Sequence, residues 1–373
     1  MRFFRGSTLA LIALSLATSV GAQTPQRTFI RINQLGYLPS GPKTAVACSL
    51  DSTSIRTFTV QDSEGRVVFG PKAAKASGSF AACASTHRLD FSALRKPGRY
   101  TIVEGGAASP PVSISTSAYE GAADTLLVYM RQQRSGFNTV VKDSIHKFDG
   151  KIVDHPTRTG EFINVSGGWA DASDYLQYVT TSANATFVML MAYRDNPKAF
   201  GDKFDDRGLA GSNGVPDILD EAKHGLDWLL RMYPGGQDMF NQLADDRDHM
   251  YFDFPWRDSS DYGWGKGSFR PVYPCTGQPQ GLYKYKNRST GYASTAGKYA
   301  SAFGIASVVF SRSDPAFSAK LKERALAAYQ LGRDHPGVCQ TASAVSPYFY
   351  EEDNWHDDME LGAASLVAAT GQQ

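Results

Sequence analysis

Asp171 and Asp174 stand three residues apart in the run Gly167-Gly-Trp-Ala-Asp-Ala-Ser-Asp174, directly behind a pair of glycines. Two carboxylates at that spacing can divide acid–base work, one taking a proton from water while the other holds that water. Leu176, Val179, Val188, Leu190 and Met191 follow at helical spacing as far as Tyr193, with no proline, which predicts a helix from about 173. Both aspartates would then occupy the loop and first helical turn and point the same way. A helix N-terminus favours the ionised carboxylate, so the base is expected to have a low pKa. The plainer alternative is an acidic capping box, with Asp171 as cap and Asp174 at the third helical position.

The elements that must position this pair read as two kinds. Residues 27 to about 115 carry short strand-like runs at 44–48, 57–60, 67–69, 86–90 and 100–103, broken by turns such as Asp62-Ser-Glu-Gly65 and Lys96-Pro-Gly98. That rhythm suits an all-β sandwich, with a linker near Ser117. From Tyr119 the period changes to helical, and helices are expected over about 119–134, 173–194, 216–232, 292–312, 317–332 and 357–370.

Arg2 and Arg5, an apolar core from Thr8 to Val20 and the small residues Val20-Gly21-Ala22 read as an export signal over residues 1–22. The core is shorter than the roughly 20 residues of a stable span, and no later segment is apolar enough to cross a membrane. A secreted or periplasmic protein is expected. The formal net charge of +1 comes without a basic cluster, which argues against nucleic acid and anionic membrane as partners. Cys48 and Cys83 lie in strand-like runs of the first domain and can form a bridge or remain two buried thiols. Cys275 and Cys339 fall in different loops, and nothing in the sequence pairs them. Aromatics make up 12% of the chain and crowd the loops after 230, where Trp256, Trp264 and Tyr273 could offer faces to a sugar ring.

Gly-Gly-Trp-x-Asp-Ala-x-Asp-Tyr resembles the signature of glycoside hydrolase family 9, the inverting endoglucanases built on an (α/α)6 barrel. Phe29 to Pro39 resembles the start of that family's immunoglobulin-like domain, while Asn213 to Glu221 and Asp357 to Leu361 resemble two of its helix starts. The resemblance implies an immunoglobulin-like β-sandwich over 24–116, then an all-α catalytic domain over 118–373. It implies a polysaccharide or oligosaccharide substrate of the β-1,4-glucan class and a hydrolysis that requires no cofactor. Asp174 takes the role of base and Asp171 that of its partner. Ala244 to His249 resembles the loop whose histidine binds the sugar beside the scissile bond, against the alternative of a surface histidine. Glu351 to Asp358 resembles a calcium loop, with Asp353, Asp357 and Asp358 as hard oxygen donors and Asn354 lending a carbonyl. The alternative is an acidic helix start.

Departures from the pattern are equally specific. Where many members place zinc ligands, this chain has Ser135, Ile145, His146 and Ala170, so zinc is not expected. The family barrel has twelve helices and its acid is a glutamate near the barrel's end. Six helices and no match to the acid's motif are found here, so about half a barrel, inactive for lack of the acid, is the expectation. Two other readings stand beside the glucanase: an exo-β-glucosaminidase on chitosan oligomers, and a non-catalytic glycan-binding protein.

Overall fold

The computed structural model describes residues 27–250, 253–347 and 350–372. The expected export signal lies outside them. The chain divides into two units between Tyr119 and Glu120.

The first unit is a β-sandwich of nine strands: β1 (Thr28–Arg31), β2 (Thr44–Ser49), β3 (Thr57–Asp62), β4 (Val67–Ala73), β5 (Lys75–Phe80), β6 (Cys83–Asp90), β7 (Gly98–Glu104), β8 (Ala107–Ala108) and β9 (Val112–Ile114). One sheet runs β1-β2-β6-β5 and the other β4-β3-β7-β8, with β9 also paired to β7. Alternation along the strands turns Ala45, Ala47, Phe58, Val60, Leu89, Tyr100 and Ile102 into one shared core. Strand β5 is exposed along its whole length, so it carries no burial pattern that a sequence could show. Cys48 and Cys83 are joined in a disulfide that ties β2 to β6.

The second unit is helical, with a small sheet threaded through it. Its elements are α1 (Ala122–Gln132), β10 (Gly136–Asn138), β11 (Asp143–Ile145), β12 (Asp149–Ile152), β13 (Gln177–Tyr178), α2 (Val179–Asp195), α3 (Asp217–Met232), β14 (Phe240–Leu243), β15 (Arg270–Pro274), α4 (Ala293–Val309), α5 (Pro315–Asp334) and α6 (His356–Thr370). Among the described residues the six α-helices overlap the expected intervals, but α2 begins at Val179 rather than at 173. The reason is tertiary: Gln177 and Tyr178 pair antiparallel with Leu243 and Gln242, which holds the preceding residues extended. The all-α expectation therefore needs this sheet added, in the order β12-β15-β14-β13.

Helix α4 is the hub of the core, buried on almost every side and rich in small residues. Gly297 lets α6 approach so closely that a Cβ there would lie 2.4 Å from the Asp358 backbone. Cys275 and Cys339 form a second disulfide, bridging 64 residues and fastening the segment after β15 to the loop after α5. Among the described residues no helix is long and apolar enough to cross a membrane.

Candidate active site

The bend from Gly167 to Leu176 is held by its backbone. Gly168 has φ +74, and a Cβ on it would strike Gln177 Nε2 and the Trp228 ring at 2.6 Å, so only glycine fits. Its carbonyl accepts from the Ser135 amide at 2.8 Å and from His224 Nε2 at 3.0 Å. Trp169 is buried and donates its indole N–H to Glu221 at 2.8 Å, and Glu221 also receives the Arg134 guanidinium bidentately at 3.0 and 2.9 Å. Ala170 N–H donates to Gln133 O, and Asp171 N–H to Leu176 O, which closes the bend. Arg270, fully buried, grips its far end: it pairs with both oxygens of Asp149 at 2.7 Å and donates to Tyr175 O at 2.6 Å and to Gln177 Oε1. Each buried charge here has a partner, which is the condition for its survival away from water.

Both aspartates sit on this bend, and neither caps a helix. Asp171 is fully engaged by hydroxyl donors: Thr181 gives its proton to Oδ1 at 2.6 Å and Tyr350 to Oδ2 at 2.8 Å. Asp174 is mostly buried, with His249 Nε2 at 3.3 Å from Oδ2. Its Oδ1 makes no well-formed hydrogen bond among the described residues. Burial pushes the Asp174 pKa up; the neighbouring His249 pulls it down and Asp171 adds to the rise. The low pKa expected from a helix dipole is thus corrected: the helix starts five residues further on, and desolvation dominates.

Behind His249 lies a third carboxylate. Asp248 is completely buried, accepts the Tyr175 amide at 2.9 Å and approaches His249 Nδ1 at 3.6 Å. Burial first, and Asp174 second, raise its pKa to about 8. Asp174 opens onto a cleft of about 330 Å³ lined also by Gln133, Ala172, Ser173, Asp253, Phe254 and Pro255. Trp256 lies stacked on Phe254, rings 4.7 Å apart and 6° from parallel, and both are exposed. Those faces suit a sugar ring.

One aromatic expectation is corrected. Tyr273 is buried in β15 and donates to Asp245 Oδ2 at 2.6 Å, so it has no face to offer. Trp264 is partly buried and lies against the apolar cluster that includes Leu176, Tyr178 and Tyr262, with Lys151 5.1 Å from its ring. Sequence reasoning missed Tyr350, Thr181, Asp248 and Phe254. Phe254 and Asp248 stand beside residues already singled out, whereas Tyr350 lies 179 positions from Asp171 and carried no local signal.

Neither metal place presents a convergent donor set. His146 uses Nδ1 on Ser135 Oγ at 2.9 Å and Nε2 on Asp258 at 3.1 Å. Its burial, followed by the charge of Arg270, lowers its pKa. With Ser135, Ile145 and Ala170 around it, the residues do not fit a four-coordinate zinc. The supposed calcium donors point to separate partners: Asp353 to Arg288 at 3.1 Å, Asp358 to Lys298 at 2.6 Å, and Asn354 to the amides of Trp355 and His356. Asp357 accepts from Asn354 Nδ2 at 3.0 Å. Among the described residues no group of three or more His, Cys, Asp or Glu side chains could hold a metal ion.

Residues 119–373 match the profile of Glycosyl hydrolase family 9, and residues 25–109 that of the cellulase N-terminal ig-like domain. The chain belongs to glycosyl hydrolase family 9. It is 30% identical over 238 residues to the xyloglucan-specific endo-beta-1,4-glucanase BoGH9A of Bacteroides ovatus, covering 60% of this chain and 39% of that protein. With Endoglucanase C of Cellulomonas fimi it shares 26% identity over 373 residues, covering 92% of this chain and 32% of the relative. The crystal structure of a metagenome-derived glycoside hydrolase family 9 endoglucanase superposes with a TM-score of 0.70 at 29% identity, covering 92% of this chain and 62% of that one. The chain therefore spans less than two thirds of the length of these family 9 relatives.

Proposed function

We propose that this chain is an exported glycoside hydrolase whose site takes β-1,4-linked glucan and works by inversion. The observation that carries the reading is the contrast at the bend: Asp171 is fixed by two hydroxyls, while Asp174 faces an open cleft beside the Phe254–Trp256 stack. Asp174 is the base that removes a proton from the attacking water, and Asp171 orients that water. His249 lies against Asp174 and is the residue we assign to contact the sugar beside the scissile bond. Inversion needs base and acid on opposite faces of the sugar, about 6.5–9.5 Å apart. No described residue is assigned the acid. Two disulfides fit an oxidising compartment and support export.

The base step can be isolated from the acid step. In β-cellobiosyl fluoride the leaving fluoride departs with the bonding electrons and needs no protonation. Water oxygen bonds to the anomeric carbon and Asp174 takes its proton. Fluoride release with α-cellobiose as first product, followed by NMR, is the expected result. Retention of configuration, or turnover of chitosan oligomers with no action on cellooligosaccharides, would remove the glucanase reading. Glucan binding with no fluoride release would mark a non-catalytic glycan-binding protein.

A further inference from the structure

The segment that ends in α6 carries Glu351, Glu352, Asp353, Asp357 and Asp358 within eight residues. Such a density of carboxylates demands positive charge nearby, since like charges in close quarters repel and cannot all remain ionised. The structure supplies that charge from its own chain. Lys298, on α4, is mostly buried and places Nζ 2.7 Å from Glu352 Oε1 and 2.6 Å from Asp358 Oδ2. Arg288 takes Asp353 at 3.1 Å and Glu351 at 3.4 Å on the exposed side. Glu352 is held from elsewhere too: Thr180 on α2 donates to its Oε1 at 2.8 Å, and Gln340 donates to its backbone carbonyl at 2.8 Å. One ammonium therefore links α4 to the start of α6 and to the segment leading into it.

We infer that Lys298 is the resident cation of this acidic segment and does the charge-balancing work for which hard-oxygen clusters otherwise recruit a divalent metal. An ammonium can take this place because it delivers its donors to carboxylates at the same short range. It differs in being covalently anchored, so the segment is ordered at any calcium concentration. The same segment carries Tyr350, two residues before Glu352, whose hydroxyl donates to Asp171. The cavity here, about 630 Å³ and lined by Lys298 with Thr181, Tyr350, Glu352, Asp353 and Asp358 among others, has room for a hydrated ion. Calcium is the competitor that an experiment has to exclude.

Calcium chloride and EDTA are titrated against the full chain by thermal unfolding and calorimetry. The wild type is expected to show the same midpoint in both and no saturable heat. Lys298→Met is expected to unfold about 5 °C lower, with Lys298→Arg recovering most of the loss. A saturable rise in the wild-type midpoint with calcium would overturn the inference, as would a Lys298→Met variant as stable as wild type. If Lys298→Met does not fold, the wild-type titration and the Arg variant decide alone: calcium stabilisation of either sinks the idea, and indifference of both to calcium supports it.

Discussion

Asp171 and Asp174 lie three residues apart on one bend, yet their surroundings are opposite. Asp171 is held by hydroxyls from Thr181 and Tyr350, which come from α2 and from the segment before α6. Asp174 is set in a less polar place, with an imidazole on one side and open cleft on the other. A carboxylate held by a hydroxyl on each oxygen is a well-fixed positioning group. One that is partly desolvated, and carries a raised pKa, is a better base. The two roles follow from what each side chain touches, and identical residue types do not blur them.

The largest test of that contrast is Asp174→Asn. The amide keeps the shape but cannot accept the proton, so fluoride release from β-cellobiosyl fluoride should fall by about 10²–10⁴-fold while cellooligosaccharide binding persists. Near-normal release would assign the base elsewhere. Asp171→Asn should cost less, and its signature is a pH shift. The base must be ionised, so the rate rises with pH through the Asp174 pKa. Asp171 helps to raise that pKa and His249 lowers it. The acid limb of the pH–rate profile should therefore move to lower pH in Asp171→Asn and to higher pH in His249→Asn. Shifts in the same direction in both variants would break the comparison.

The last test concerns Asp248 and is read in stability. Its folded pKa of about 8 stands far above the ordinary carboxylate value of 3.8, so folding favours its protonated form. The wild type must then lose stability from this group as pH rises from about 4 to about 8, because the unfolded state has already released the proton. Asp248→Asn keeps an oxygen for the Tyr175 amide and removes the titration. Its thermal midpoint relative to wild type should climb across that window. A difference that stays flat with pH would show that Asp248 is ionised in the fold.

Much of the frame was legible because it rests on local rules. The Gly167-Gly168 pair announced a turn, and the helical runs from 119 onward correspond to six observed helices. The sandwich strands with alternating burial were readable, whereas the fully exposed β5 was not. What escaped the sequence depends on distant partners. Pairing with β14 delays α2 to Val179, and Tyr273 is buried by the same sheet. The Cys275–Cys339 bridge and the Tyr350 hydroxyl on Asp171 join segments whose proximity only the folded chain creates. The ordered motifs carry the family, while a helix start at 173 implies a low Asp174 pKa that burial reverses.

Arg270 has a consequence in time as well as in space. It fixes Tyr175 O from 95 positions downstream, Asp149 from 121 and Ser135 from 135, the last at 3.5 Å. Contacts of such sequence separation require large loops to close before any of them can form, and that makes them slow. The bend can be traced early by its glycines, but its far end is secured only when β15 arrives. The bend that carries Asp171 and Asp174 therefore depends on long-range closure, and a chain that has collapsed without seating Arg270 would lack the contacts that hold the bend's far end.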